Sequence, residues 1–417
     1  MPKTLAEKIL SNAYKQDLKA GQTAVVPVSL AYFQDGTGPL GLRQLEKLNI
    51  KKLANPARSI FFIDHSAPSP RKELSNDHMF IRDFAKQSGA IVHDVGDGVC
   101  HQLAAEKYVK PGDIVIGGDS HTCMGGAFAA FATGMGSTDV AIGMALGKTW
   151  FRVPETIKVV LTGKIPQYVT AKDIVLNLIG QIGADGATYK ALEFTGDFAD
   201  KLPMPERLTI SNMAVEAGAK VGLFASDEKT RQYLKEQGRE DDYTPLSADD
   251  GADYEQVVTI EVDKLTPVVS FPHTVDNTKP IAEAKGIKID QVFVGTCTNG
   301  RIEDLRQVAC VFKNRQVKTR TIITPASRNV FIQALHEGLI EIFLEAGATI
   351  MTPGCGACVG VHGGILGDGE NCLATQNRNF NGRMGNPKGN IYLSSPIIAA
   401  VSAITGEITD PHDFFNS

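Results

Sequence analysis

Short β-branched apolar runs, each ending in polar residues, recur along this chain and constrain its fold more than any other feature. Ser59-Ile60-Phe61-Phe62-Ile63 ends at Asp64-His65, and Asp113-Ile114-Val115-Ile116-Gly117 runs into Gly118-Asp119-Ser120-His121-Thr122. Ala90-Ile91-Val92-His93-Asp94-Val95 is a further run, and a helix-like stretch, Leu74 to Gln87, precedes it. Strands alternating with helices build a parallel sheet, and such sheets bind ligands at the C-terminal ends of their strands. The predicted fold class is therefore α/β with mainly parallel sheets. Thr156 to Gly163 begins a new α/β unit after Pro154, and another begins near Gly286. That divides the chain into units 1–154, 155–285 and 286–417. A charged stretch from Glu236 to Tyr254 reads as a solvated insertion.

Two of the apolar runs end in cysteine. Ile289 to Val294 leads into Gly295-Thr296-Cys297-Thr298-Asn299-Gly300-Arg301, and Ala348 to Met351 leads into Pro353-Gly354-Cys355-Gly356-Ala357-Cys358. Cys-x-x-Cys alone fits a redox dithiol, a metal site or an incidental pair. The flanks shift that weighting. Two strand-to-helix loops of one parallel sheet open on the same edge, so the three sulfurs converge, and helix N-termini stabilise thiolates. A closed iron–sulfur or zinc site takes four protein ligands, so three thiolates leave one metal corner free to act on substrate as a Lewis acid.

Cys310 lies in the amphipathic stretch Leu305 to Phe312 and reads as a small core residue. Seven cysteines without a secretory signal predict a reducing, cytoplasmic setting rather than disulfides. The net charge of -5 and the absence of any Lys/Arg run argue against a nucleic-acid partner. No apolar stretch reaches the roughly 18 residues that span a bilayer. Met1 to Leu10 reads as a capped helix.

Histidines and carboxylates gather at the predicted strand ends: Asp64-His65, Cys100-His101-Gln102, Asp119-Ser120-His121, and Ser211-Asn212-Met213 with Glu216. A carboxylate beside an imidazole fixes its tautomer and raises its basicity, the usual equipment for proton transfer near neutral pH. Taken singly, each is more often a loop cap; their company with three thiolates strengthens the joint reading. His78, His93, His273, His336, His362 and His412 have no comparable setting and are expected in surface or core roles. Thr375 to Arg383 concentrates Asn377, Arg378, Asn379, Asn381 and Arg383, rigid donors suited to a carboxylate.

In their order, these motifs resemble the aconitase superfamily along essentially the whole chain. The resemblance implies three α/β/α domains around a cleft and a hydro-lyase that isomerises a 2-hydroxy di- or tricarboxylic acid by dehydration and rehydration. It implies a [4Fe–4S] cluster on Cys297, Cys355 and Cys358, with one iron not ligated by protein. The implied catalytic pairs are Asp64 with His65, His101 with Asp119, and His121 with Glu216. Arg378 and Arg383 would clamp a substrate carboxylate, while Gln34, Asp35, Ser120, Asn212 and Asn377 match positions lining the family's site. Single-chain members carry a fourth, swivelling domain that supplies the base. This sequence ends without room for one, so the resemblance implies a small-subunit partner, in a heterodimer or heterotetramer. Isopropylmalate, homocitrate and methylated malates stay open as substrates, and an RNA-binding cluster-free form is a further, less favoured reading.

Overall fold

The computed structural model describes residues 1–416, and its three main sheets explain how distant motifs meet. A five-stranded sheet runs in the order Ile91–His93, Ser59–Phe62, Leu30–Gln34, Ile114–Gly117, Phe131–Gly134, with every neighbouring pair parallel. A four-stranded parallel sheet runs Val221–Phe224, Ala191–Thr195, Thr156–Thr162, Gln256–Glu261. The largest sheet has seven strands, in the order Thr278–Pro280, Val268–Ser270, Asn390–Leu393, Asn371–Ala374, Gln291–Gly295, Arg320–Thr324, Thr349–Ile350. Its first two strands are antiparallel additions to an otherwise parallel sheet. The expected α/β class with mainly parallel sheets is what the chain adopts.

The central strand Gln291–Gly295 is buried along its whole length. Phe293 packs into one apolar core while Val292 and Val294 pack into another, as expected for a parallel strand covered on both faces. The core on the Phe293 side also takes in Tyr32 and Phe62 from the first sheet and Leu192 and Phe194 from the second, so one continuous core joins the three sheets. Burying an aliphatic or aromatic side chain of this size contributes roughly 1.5–3 kcal/mol, which makes that shared core the main force fixing the sheets against one another.

Local signals set the ends. Helix Leu5–Tyr14 starts with the Thr4/Glu7 capping box, and Leu5 N donates to Glu193 Oε2 at 2.9 Å on the second sheet. Gly98 (φ +140°) lies where a Cβ would stand 2.6 Å from Ser327 Cα, and Val99 N donates to Ala326 O at 2.9 Å. The glycine therefore permits the backbone approach that docks helix Cys100–Lys107 onto the seven-stranded unit. Within the stretch Glu236 to Tyr254 expected as a solvated insertion, Glu236 ends helix Glu228–Glu236 and Glu240–Asp242 forms a 3₁₀ turn, and the rest carries no helix or strand. No described helix is long and apolar enough to cross a membrane.

Candidate functional site

Asp119 is the hub. It follows the strand Ile114–Gly117 and caps the 3₁₀ segment Ser120–Phe128, accepting from His121 N at 2.9 Å. The same carboxylate oxygen lies 2.9 Å from His101 Nε2 and 3.2 Å from His121 Nδ1, while its other oxygen lies 3.6 Å from His65 Nε2. The chain of contacts continues at both ends. Tyr32 OH lies 2.9 Å from His101 Nδ1, and His121 Nε2 lies 2.7 Å from Glu216 Oε1. Glu216 Oε2 in turn accepts from Arg378 Nε at 3.0 Å. Burial opposes the charge on Asp119, but its histidines overcome that and hold the carboxyl well below its ordinary range. Burial likewise disfavours imidazolium at His65, yet Asp64 and Asp119 raise its pKa well above the usual value.

A second network fixes the Asp64 loop. Asp64 Oδ1 lies 3.0 Å from His65 Nδ1, and Oδ2 accepts from Cys100 N at 2.7 Å. Asp35 accepts from the backbone N–H groups of Asp64, His65 and Ser66 at 3.1, 2.8 and 2.9 Å. His78 Nε2 lies 2.9 Å from the same carboxylate. Burial would raise the Asp35 pKa, but His78, His65 and these N–H groups bring it down to about 2. Gln34 is buried, with Oε1 accepting from Gly36 N, and Ser120 is half-buried beside Asp119.

The cysteines meet at the edge of the seven-stranded sheet. Asn377 Nδ2 donates to Cys297 Sγ at 3.6 Å, and Asn377 Oδ1 lies 3.9 Å from Cys358 Sγ. Asn212 Nδ2 donates to Cys297 Sγ at 3.2 Å and Arg383 Nη2 to Cys358 Sγ at 3.2 Å. Cys355 N donates to Asp64 O at 2.8 Å, tying this loop to the imidazole loops. Gly356 (φ +62°) permits the tight turn; a Cβ there would stand 2.5 Å from Thr324 Oγ1. The hydrogen bond from Cys355, together with Arg383, holds the Cys358 thiol well below its ordinary pKa, and Cys355 is pushed up in exchange. Burial and the Cys358 charge push Cys297 up to about 12.

Three buried thiols therefore cannot all ionise among themselves, whereas a thiolate-bound cluster supplies the positive charge they lack. Arg383 also keeps a buried Nε–H without a partner. Sulfur donors, the N–H groups aimed at them and this free donor fit an iron–sulfur cluster.

The structure thus links the expected histidines, carboxylates, cysteines, Asn212, Asn377, Arg378 and Arg383 in one region, whereas the Gln34 side chain bonds within its own turn. It also recruits residues to which the motifs assigned no role. Lys172 is fully buried and donates Nζ to Thr375 O at 2.7 Å and Gln376 O at 2.5 Å, fixing the chain just before Asn377 and Arg378. Burial pushes its ammonium down to about 7. Arg301 donates Nη1 to Cys297 O at 2.8 Å. Tyr32 and His78 hold His101 and Asp35. Arg301 is visible beside the Cys297 motif, whereas Lys172 sits near the start of helix Ala171–Ile182 with no chemical pattern around it. Tyr32 and His78 carry no local signal, because their partners lie 69 and 43 residues away.

Two expectations need correction. Cys310 is exposed. Helix Ile302–Phe312 buries positions 305, 308, 309 and 312, which turns 306, 307 and 310 outward. And Cys358 is followed by a single 3₁₀ turn, Gly356–Val359, and irregular chain rather than by a helix, because Gly360, Gly363 and Gly364 interrupt the segment.

The chain is similar to several known proteins. The profile of the aconitase family (aconitate hydratase) matches residues 7–286 and 277–406. A curated relative from Elusimicrobium minutum, named 3-isopropylmalate dehydratase large subunit, is 63% identical over 415 residues, covering 99% of both chains. Relatives from Archaeoglobus fulgidus (large subunit 2) and Thermotoga maritima (large subunit 1) carry the same enzyme name. They are 55% and 54% identical, over 99% of this chain and 100% of their own length. Among solved structures, aconitase X of Thermococcus kodakaraensis superposes with a TM-score of 0.53 at 14% identity. That match covers 98% of this chain and 93% of the other, and is a likeness of fold.

Proposed function

The chain belongs to the aconitase family, and from that premise we propose that it is the large subunit of a 3-isopropylmalate dehydratase. It works with a small subunit on a small hydroxy-acid substrate, exchanging 2- and 3-isopropylmalate by loss and return of water. The name shared by relatives at 54–63% identity supports the substrate. The observation that carries the chemistry is the unbroken chain from Tyr32 through His101, Asp119, His121 and Glu216 to Arg378, set beside three convergent thiols.

Cys297, Cys355 and Cys358 would hold a [4Fe–4S] cluster, and an iron left without a protein ligand would supply Lewis-acid activation of the substrate hydroxyl. The chain's own residues do the rest. Arg378 and Arg383 bind a substrate carboxylate, with Gln34, Ser120, Asn212 and Asn377 lining the site. His101 carries the proton that the departing hydroxyl takes up, so that it leaves as water. Asp119 stays ionised to support the resulting charge changes, because its pKa is held so low. His65 and His121 share that carboxylate and re-supply the proton. Asp64 and Asp35 hold this loop rigid, so the proton donor does not drift from its position. The small subunit carries the swivelling domain, with the base for the carbon-bound proton, and closes the site over the substrate.

The test is anaerobic copurification with the small subunit, followed by alkene-acid absorbance. 3-Isopropylmalate, homocitrate, citrate and methylated malates are compared in parallel. Dominant turnover of isopropylmalate is expected. Preference for another acid would replace the substrate, and inactivity towards all of them with intact iron and sulfide would sink the hydro-lyase reading.

A further inference from the structure

Lys172 has no exposed surface and no carboxylate to answer its charge. Its Nζ donates to two backbone carbonyls, Thr375 O at 2.7 Å and Gln376 O at 2.5 Å, and among the described residues it makes no ion pair. Asp173, next along helix Ala171–Ile182, is engaged elsewhere. Its Oδ1 accepts from Val268 N at 3.0 Å, and its Oδ2 from Thr170 N at 2.9 Å and Thr170 Oγ1 at 2.8 Å. Asp304, the carboxylate that acts on Lys172 most strongly, accepts from Asn299 Nδ2 and Arg301 N, both at 3.0 Å. Burial pushes Asp173 up to about 6 and raises Asp304 as well, so both are weak counter-charges. A buried ammonium keeps its charge where an anion is close; otherwise burial moves it towards the neutral amine, here to about 7.

After Asp304, the groups that favour the ammonium most are sulfurs: Cys358 and Cys297, ahead of the adjacent Asp173. The bonding explains that reach. Thr375 Oγ1 accepts from Gly295 N at 3.0 Å, two residues before Cys297. Gln376 is followed by Asn377, whose Nδ2 lies 3.6 Å from Cys297 Sγ and whose Oδ1 lies 3.9 Å from Cys358 Sγ. Lys172 thus holds the residue just before the amide that joins two of the three thiols. Cys358 already shares its charge with Cys355 and Arg383, and Cys297, at about 12, carries none of its own. A [4Fe–4S] core on three thiolates is anionic, and it is the charge that Lys172 otherwise lacks.

We propose that Lys172 is the internal counter-charge of the thiolate-bound cluster, a positioning residue that sets the cluster's reduction potential while it holds the chain before Asn377. A fixed positive charge favours the form with one electron more, because cluster potentials follow net charge, hydrogen bonding and exposure. It also slows loss of the cluster, since that loss leaves Lys172 buried and unanswered. The inference rests on the cluster reading above and adds to it a residue from the 155–285 unit.

The test is a dithionite titration of the complex with the small subunit, prepared anaerobically, with the reduced cluster followed by electron paramagnetic resonance. K172Q keeps a donor without the charge, K172M lacks both, and K172R keeps both. K172Q and K172M are expected to make reduction about tenfold less favourable, a potential about 59 mV lower for a one-electron couple. Both are also expected to lose acid-labile sulfide in air several-fold faster. K172R is expected to stay within about twofold of the wild-type equilibrium. The two neutral variants differ in shape, so one reports if the other fails to fold, with far-UV dichroism as the check. A wild-type potential in a folded neutral variant, whatever its melting temperature, or an equal drop in K172R, would overturn the proposal. Those outcomes leave iron and sulfide in place and the cluster reading intact. Absence of iron and sulfide from the wild-type complex would overturn that reading and this inference together.

Discussion

The imidazole–carboxylate region and the cysteine region sit side by side and are finished to different degrees by the protein itself. Around Asp119 and Asp35 the contacts are mostly short and charge-assisted, and every carboxylate there has a named partner. Around the thiols the partners are fewer, with nitrogen–sulfur hydrogen bonds of 3.2 to 3.6 Å from Asn212, Asn377 and Arg383, and Arg383 keeps an unpaired Nε–H. The first region is pre-organised by the fold. The second is left for the proposed iron–sulfur cluster to complete, which marks where pre-organisation stops and ligand binding begins.

The largest effect on that contrast is expected from Cys297→Ser. It should remove acid-labile sulfide and all measurable turnover, leaving the imidazole network and the fold as they are. Retained activity with normal iron content would contradict the ligand assignment. Asp119→Asn should do the reverse, lowering kcat by about 10²–10⁴ while iron and sulfide stay at wild-type levels. Loss of cluster in that variant would mean the two regions are not separable.

Smaller effects probe how rigidly the first region is built. Asp35 has its pKa depressed from 3.8 to about 2 by His78, His65 and backbone N–H groups acting against burial. A depressed carboxylate stabilises the fold above its unfolded pKa, and that stability is lost as pH falls through the folded value. Asp35→Asn should therefore lose roughly 2 kcal/mol of titrating stability, present in the wild type above about pH 4 and fading towards pH 2. Denaturant melts of both proteins across that range would read it, and a gap that does not change with pH would refute it. His78→Gln, which keeps a donor, should cost about 1 kcal/mol or less, whereas His78→Ala should cost about 1–3 kcal/mol by leaving Asp35 one partner short. Equal melting of the two variants would deny His78 its positioning role.

Much of this arrangement is legible in the sequence. Strand ends carrying Asp64-His65 and Asp119-Ser120-His121 mark the functional edge, since polar residues closing an apolar run have no place inside a sheet. The two cysteine loops fall on one edge because parallel strands open their loops together, and Gln291–Gly295 and Thr349–Ile350 do lie in one parallel sheet. Cys310 is misjudged from sequence because an apolar period alone gives a face without saying where its margin falls. The glycines after Cys358 are present to be read, and they rule out the helix expected there.

Residue type and spacing along a strand end are local properties, so the chemistry open to this chain is written in its sequence. Which groups touch is a property of the packed molecule. Tyr32 with His101, His78 with Asp35, Lys172 with Thr375 and Gln376, and Glu216 with Arg378 are separated by 43 to 204 residues. Their meeting depends on how three sheets pack around one shared core. That packing is fixed by summed apolar burial over the whole interface, and no local pattern encodes it.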